Sequence, residues 1–169
     1  VSHNLHGDLI KLLPRLVGFA RTILGDADAA RDLVQEAATR ALSARRVPDS
    51  AQAYRAWMFK IVRHAALDEI RRQRRPAADE EPSVDLWRFD DARIAKITVE
   101  QGLATLSPVH RDIIALIDIA GFSYGEAADL LGVPVGTIMS RIARARMALL
   151  AAIERSSVRP LKTSHEQQR

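Results

Sequence analysis

Two clusters of cationic side chains hold most of the chemical capacity of this 169-residue chain, and neither is a nucleophile or a metal-binding set. The first lies between residues 123 and 146. Ile138, Ile142, Ala145 and Leu149 recur at helical spacing as an apolar stripe, which leaves Gly136, Met139, Ser140, Ala143 and Arg144 on the opposite face. Short side chains there let a backbone approach a nucleic-acid groove, while the Arg144 guanidinium can donate to a base edge or a phosphate. Arg141 and Arg146 flank that face as phosphate contacts. Ala128 is small enough for two helices to cross closely, and Gly132 suits a turn position with positive φ, so the stretch has helix-turn-helix anatomy. A plain helical hairpin with solvating arginines would share this pattern. Between residues 135 and 169, however, seven basic residues stand against two acidic ones, which favours a DNA partner.

The second cluster places Lys60, Arg63, His64, Arg71, Arg74 and Arg75 on one broad helical face, with Met58, Ile61, Val62 and Ala65 roughly opposite. Such a ridge can follow a phosphate backbone. Tyr54, Trp57 and Phe59 lie beside it, and rings interleaved with cations can stack on unpaired bases, although rings at this spacing serve a core more often. Residues 40–75 carry ten basic and three acidic residues, residues 76–100 three and seven. Two basic blocks therefore flank an acidic connector.

Catalysis finds no support in the residue inventory. The chain has no cysteine, which removes disulfides, thiolate chemistry and Cys-ligated zinc, and suits a cytoplasmic location. His64 and Asp68 have the i, i+4 spacing of two metal ligands, but no third ligand is near in sequence, so no metal or cofactor is expected. No glycine-rich phosphate loop, Ser-His-Asp set or carboxylate pair stands out. No apolar run approaches the length of a membrane span, and residues 1–13 lack the features of a signal peptide.

The elements that must position these groups read as all-α. Low aromatic content with abundant Ala and Leu favours helices. Helical periodicity predicts a first helix over residues 5–24, ended by Gly25, and a second after the Asp26 cap with Ala30, Leu33, Val34, Ala37, Ala38, Ala41 and Leu42 as its apolar stripe. A breaker cluster at Pro48, Asp49 and Ser50 precedes a long third helix over residues 54–75. Further helices are predicted from about residue 92 to 106, over 108–120 after the Ser107-Pro108 cap, over 124–131 after Ser123, and over 135–154. The expected organisation is two small helical domains, residues 1–75 and 96–155, with a flexible acidic linker at 76–95 and a disordered tail at 156–169.

These residues resemble the extracytoplasmic-function (ECF) sigma factors of RNA polymerase, over about 145 positions and in both halves. Residues 25–36, from Gly25-Asp26 to Gln35-Glu36, look like the helix that docks on the polymerase's largest subunit. Residues 56–63, followed by Asp68 and Arg71-Arg72, look like the minus-10 melting and reading helix. Residues 106–146 look like the minus-35 reading domain, with Val133-Pro134-Val135-Gly136-Thr137 the most diagnostic run.

The resemblance implies core RNA polymerase, promoter DNA and an anti-sigma factor as partners. It implies polymerase contacts at Asp32, Gln35 and Glu36. It implies a pocket for a flipped base in the loop of residues 46–54, so that Arg46, Asp49, Ser50 and Tyr54 join Trp57, Lys60, Arg63, His64 and Arg71 at the minus-10 strand. It further implies minus-35 reading by Ser140 and Arg144, with Thr137 and Arg141 on the DNA backbone. His64 stands where the family usually has Asn, and Met139 where Lys or Arg is frequent, two departures that bear on promoter preference. Two other readings fit parts of the pattern. A conventional helix-turn-helix regulator leaves the Asp32 to Glu36 surface unexplained, and a sigma mimic that sequesters an anti-sigma factor would be expected to carry a receiver or sensor domain.

Overall fold

The computed structural model describes residues 5–73 and 91–157, all of whose regular structure is helical. Three helices form the first half: α1 (Leu5–Leu24), α2 (Ala27–Leu42) and α3 (Ala51–Gln73). Asp26 separates α1 from α2 because its carboxylate accepts the Ala29 N–H at 2.7 Å, satisfying one of the donors that a helix start leaves open. Leu16, Phe19 and Ile23 from α1 meet Val34 from α2 and Met58, Phe59 and Val62 from α3 in a buried core. Burying each such side chain is worth about 1.5–3 kcal/mol over leaving it in water. One face of each helix is thereby committed, and its polar residues are turned outward.

The second half comprises α4 (Asp91–Thr105), α5 (Pro108–Ile114), α6 (Tyr124–Leu131) and α7 (Val135–Ser157). Ser107 caps α5 by accepting the His110 N–H, with Pro108 at the first helical position where a missing N–H costs nothing. At the corner between α6 and α7, Gly132 adopts φ 66°, a left-handed conformation that a side chain would strain. Helix α4 lies against α7 so closely that a Cβ on Gly102 would come within 3.0 Å of Leu149 Cδ1.

The halves are packed together. Helix α1 touches α5 and the segment that follows it, α3 touches α6, and the Phe59 ring sits edge-on to Phe19 at 5.2 Å and to Phe122 at 5.1 Å. An apolar cleft of about 540 Å³ remains in the seam, bordered by Gly18, Arg21, Leu103, Arg111 and Ile119.

Three features differ from the sequence reading. Helix α3 begins at Ala51 rather than residue 54, because the Ser50 hydroxyl accepts the Ala53 N–H at 3.2 Å and so caps it. Helix α5 does not run as a uniform α-helix to residue 120: residues 115–119 widen into a π turn, closed by the Ala120 N–H donating to Ala115 O at 2.8 Å. Helix α4 starts at Asp91, inside the stretch assigned to the linker. The rest of that linker, with Arg74 and Arg75, and most of the tail lie outside the described residues.

Candidate nucleic-acid and polymerase interfaces

Helix α7 presents its two faces as the spacing of its residues requires. Ile138 and Ile142 are buried, and Ser140 and Arg144 are exposed on the other side. The Arg144 Nε donates to Ser140 O at 3.2 Å, and the Ser140 hydroxyl donates to Thr137 O at 3.0 Å. Both side chains are thus laid along one strip of helix, held by exposed bonds that a base edge or phosphate can replace at little cost. Met139 is exposed beside them, and Thr137 and Arg141 are partly covered.

Arg146 does not flank this face as a phosphate contact. Its Nη2 lies 2.6 Å from Asp118 Oδ1 and its Nε 3.3 Å from Oδ2, so it braces α7 against the π turn. That hydrogen bond, with charge attraction from the same carboxylate, raises the arginine pKa above its ordinary value.

The basic helix α3 is divided between two surfaces. Lys60, His64 and Arg71 are exposed, and Arg71 pairs with Asp68 at 2.8 Å. Arg63 turns instead towards the second half and grips Asp112 with two nitrogens: Nη2 to Oδ2 at 2.6 Å, Nε to Oδ1 at 2.9 Å. Arg55, which the sequence reading passed over, does the same, donating from Nη2 to the carbonyls of Ala120 at 2.8 Å and Gly121 at 2.9 Å with its guanidinium 4.1 Å from the Phe122 ring centroid.

The aromatic residues need correction. Tyr54 is only 1% exposed and packs against Trp57 with ring centroids 5.7 Å apart, so in this arrangement it serves the core rather than a base. Burial, followed by the charge of Asp8, pushes its hydroxyl pKa up. Phe59 is fully buried as well, and Trp57 is half-buried. In the loop before α3, Arg46 and Asp49 are exposed, while Ser50 is engaged as the cap. Among the described residues, His64 and Asp68 gain no third ligand for a metal.

On α2, Ala30, Val34, Ala37 and Ala41 face the core, and Asp32, Gln35 and Glu36 face out. Asp32 and Glu36 border a groove between α2 and α3 of about 550 Å³, whose other rim carries Asp68 and Glu69. Arg40 and Arg72 are paired within it to Glu36 and Glu69. Four carboxylates against two guanidiniums give the groove an acidic character suited to a basic partner surface. The α3 pair escaped the sequence reading because only packing brings residues 32 and 68 to one groove.

Comparison with known proteins assigns both halves. Sigma-70 region 2 matches residues 9–76, and Sigma-70, region 4 matches residues 97–149. The ECF RNA polymerase sigma factor EcfG of Rhodopseudomonas palustris is 33% identical over 157 residues, covering 90% of this chain and 87% of that protein. The chain belongs to the ECF RNA polymerase sigma factors. ECF sigma factor SigC of Mycobacterium tuberculosis is 38% identical over 136 residues, 78% of this chain and 74% of that one.

In this sigma factor α1–α3 constitute region 2 and α4–α7 region 4. Two solved sigma factors share the architecture. RpoE from Bartonella quintana, in complex with the anti-sigma factor NepR, superposes with a TM-score of 0.65 at 28% identity, covering 88% of this chain and 96% of that one. CnrH, in complex with the cytosolic domain of CnrY, gives a TM-score of 0.67 at 27% identity, with 89% and 88% covered. As a sigma factor the protein is a DNA-binding transcription initiation factor that works with core RNA polymerase. No helix among the described residues is long and apolar enough to cross a membrane.

Proposed function

We propose that the sigma factor divides promoter recognition between the exposed strip of α7 and the strand-facing side of α3, and docks on polymerase through α2. Ser140 and Arg144 read the minus-35 element, Thr137 and Arg141 hold its backbone, and Met139 lies against base edges. Lys60, His64 and Arg71, with Arg46 and Asp49 in the preceding loop and the open part of Trp57, hold the minus-10 strand. Asp32, Gln35 and Glu36, joined by Asp68 and Glu69, receive a basic surface of core polymerase. The exposure of Ser140 and Arg144 directly opposite buried Ile138 and Ile142 carries this reading. Two weak sites on one chain reinforce each other once both are engaged.

An anti-sigma factor as regulator follows by analogy with the two solved complexes. A protein acting on chromosomal promoters works in the cytoplasm. Transcription with purified core polymerase on a library of randomised promoters tests the whole assignment. Enrichment of two spaced elements is the expected result, with the upstream one altered by Arg144→Ala. Enrichment of a single element, or none, would sink the division of labour.

A further inference from the structure

We infer that region 4 acts as an internal stand-in for nucleic acid on the strand-facing helix, so that the closed arrangement and minus-10 binding exclude each other. The inference rests on the proposed role of α3. What region 4 offers to region 2 is anionic or carbonyl oxygen. Asp112 takes two nitrogens of Arg63, the carbonyls of Ala120 and Gly121 take Arg55, and Glu126 lies 3.5 Å from Arg55 Nη1. Glu100 takes Arg21 at 2.7 Å, again a cation of region 2 with an anion of region 4. Oxygen pairs that engage guanidinium forks are also what a phosphate presents. The same Arg63 fork therefore cannot serve a strand while it holds Asp112, whose side chain is 11% exposed.

The contact is also built to part. Its apolar element is small, consisting of Phe122 on Phe59 and Ile119 over Gly18. The cleft of about 540 Å³ leaves the seam incompletely filled. Arg55 Nε is buried there with no hydrogen-bond partner, a cost that opening relieves. A permanent core would have closed the gap and satisfied that donor.

The latch is tested in the full chain by weakening it from each side. Asp112→Asn removes the charge with little change of shape. Gly18→Leu drives a side chain against Ile119, whose Cγ2 already lies 3.3 Å from where a Cβ would stand. Because the protein has no cysteine, dyes attached to Ser43→Cys and Asp129→Cys report the separation of the halves without competing sites. Both variants should lower transfer efficiency. Both should also bind a single-stranded minus-10 oligonucleotide roughly tenfold tighter, since apparent affinity scales with the competent fraction. Affinity for a minus-35 duplex should not fall, which separates opening from unfolding of region 4.

Lys60→Ala, outside the latch, checks the reading underneath. If it weakens the oligonucleotide in every background but neither opening variant changes transfer efficiency or affinity, the latch is refuted and the role of α3 stands. If it has no effect in any background, the role of α3 fails and the inference with it.

Discussion

Ser123 and Glu126 cap one another at the start of α6: the Glu126 carboxylate accepts the Ser123 N–H at 2.8 Å, and the Ser123 hydroxyl accepts the Glu126 N–H at 3.2 Å. This box fixes the first helix of the helix-turn-helix pair and so the direction from which α7 approaches DNA. The backbone hydrogen bond from Ser123 is the largest influence holding the Glu126 carboxyl below its usual pKa, followed by the Ser123 hydroxyl. A depressed folded pKa stabilises the protein above the ordinary glutamate range and is lost as pH falls through the folded value. Glu126→Gln should keep much of the cap and flatten that acid dependence, whereas Ser123→Ala should cost about 0.5–2 kcal/mol at neutral pH. Chemical denaturation between pH 3 and 7, on the order of a few points across the carboxylate range, measures both.

Arg144 and Arg146 should separate cleanly, although they are two residues apart. Arg144→Ala is expected to weaken a matched minus-35 duplex by about 1–3 kcal/mol and relax preference at one position, with stability unchanged. Arg146→Ala should leave base preference alone and lower the melting temperature, because it removes the brace to Asp118. Anisotropy titrations on matched and mismatched duplexes, together with thermal unfolding, distinguish the two. Equal losses of affinity would place Arg146 back among the DNA contacts.

Replacing Asp32, Gln35 and Glu36 together with alanine should leave the fold intact, since all three are exposed on α2. Core polymerase should then no longer be retained in a pull-down. Asp68→Ala alone should give a smaller loss that grows at low salt, as a charge contact on the rim of the same groove would. Retention of core polymerase at the parental level by the triple variant would move docking to another surface.

Replacing residues 45–49 with a Gly/Ser segment while keeping Ser50 spares the cap of α3. Polymerase docking and minus-35 binding should persist, and opening of closed duplex should fail. A template already melted across the minus-10 element should recover part of the activity, because unstacking a base is the step the loop supports. Permanganate reactivity of unpaired thymines reads the outcome, and normal opening by the loop replacement would clear this loop of strand capture.

Much of this architecture was open to reading from residue order. Asp26, Ser107 and Ser123 announce helix starts by side-chain chemistry, Gly132 marks the corner, and Ile138 and Ile142 divide α7 into inner and outer faces. What escaped depends on partners distant in the chain. Arg63 looked like one more cation on a ridge because Asp112, 49 residues away, is invisible to helical periodicity. Tyr54 and Phe59 looked available for stacking because the pattern cannot tell a ring beside a basic face from a ring that seals the core. The widened turn after Ile114 carries no residue signature at all, as its residues would suit an ordinary α-helix equally well.

That widened turn limits how the chain can vary in length. Asp112 before it pairs with Arg63, and Asp118 after it pairs with Arg146, so the turn sets the angular phase between two anchors on one helix. Deleting a single residue there would let the segment relax into a regular helix, at no cost to the helix taken alone. Everything beyond the deletion would then swing by about 100° relative to what precedes it. One anchor would keep its partner and the other would face away. Genetic change at this point is therefore constrained in register rather than in chemistry, and substitutions should be tolerated where a lost or gained codon is not.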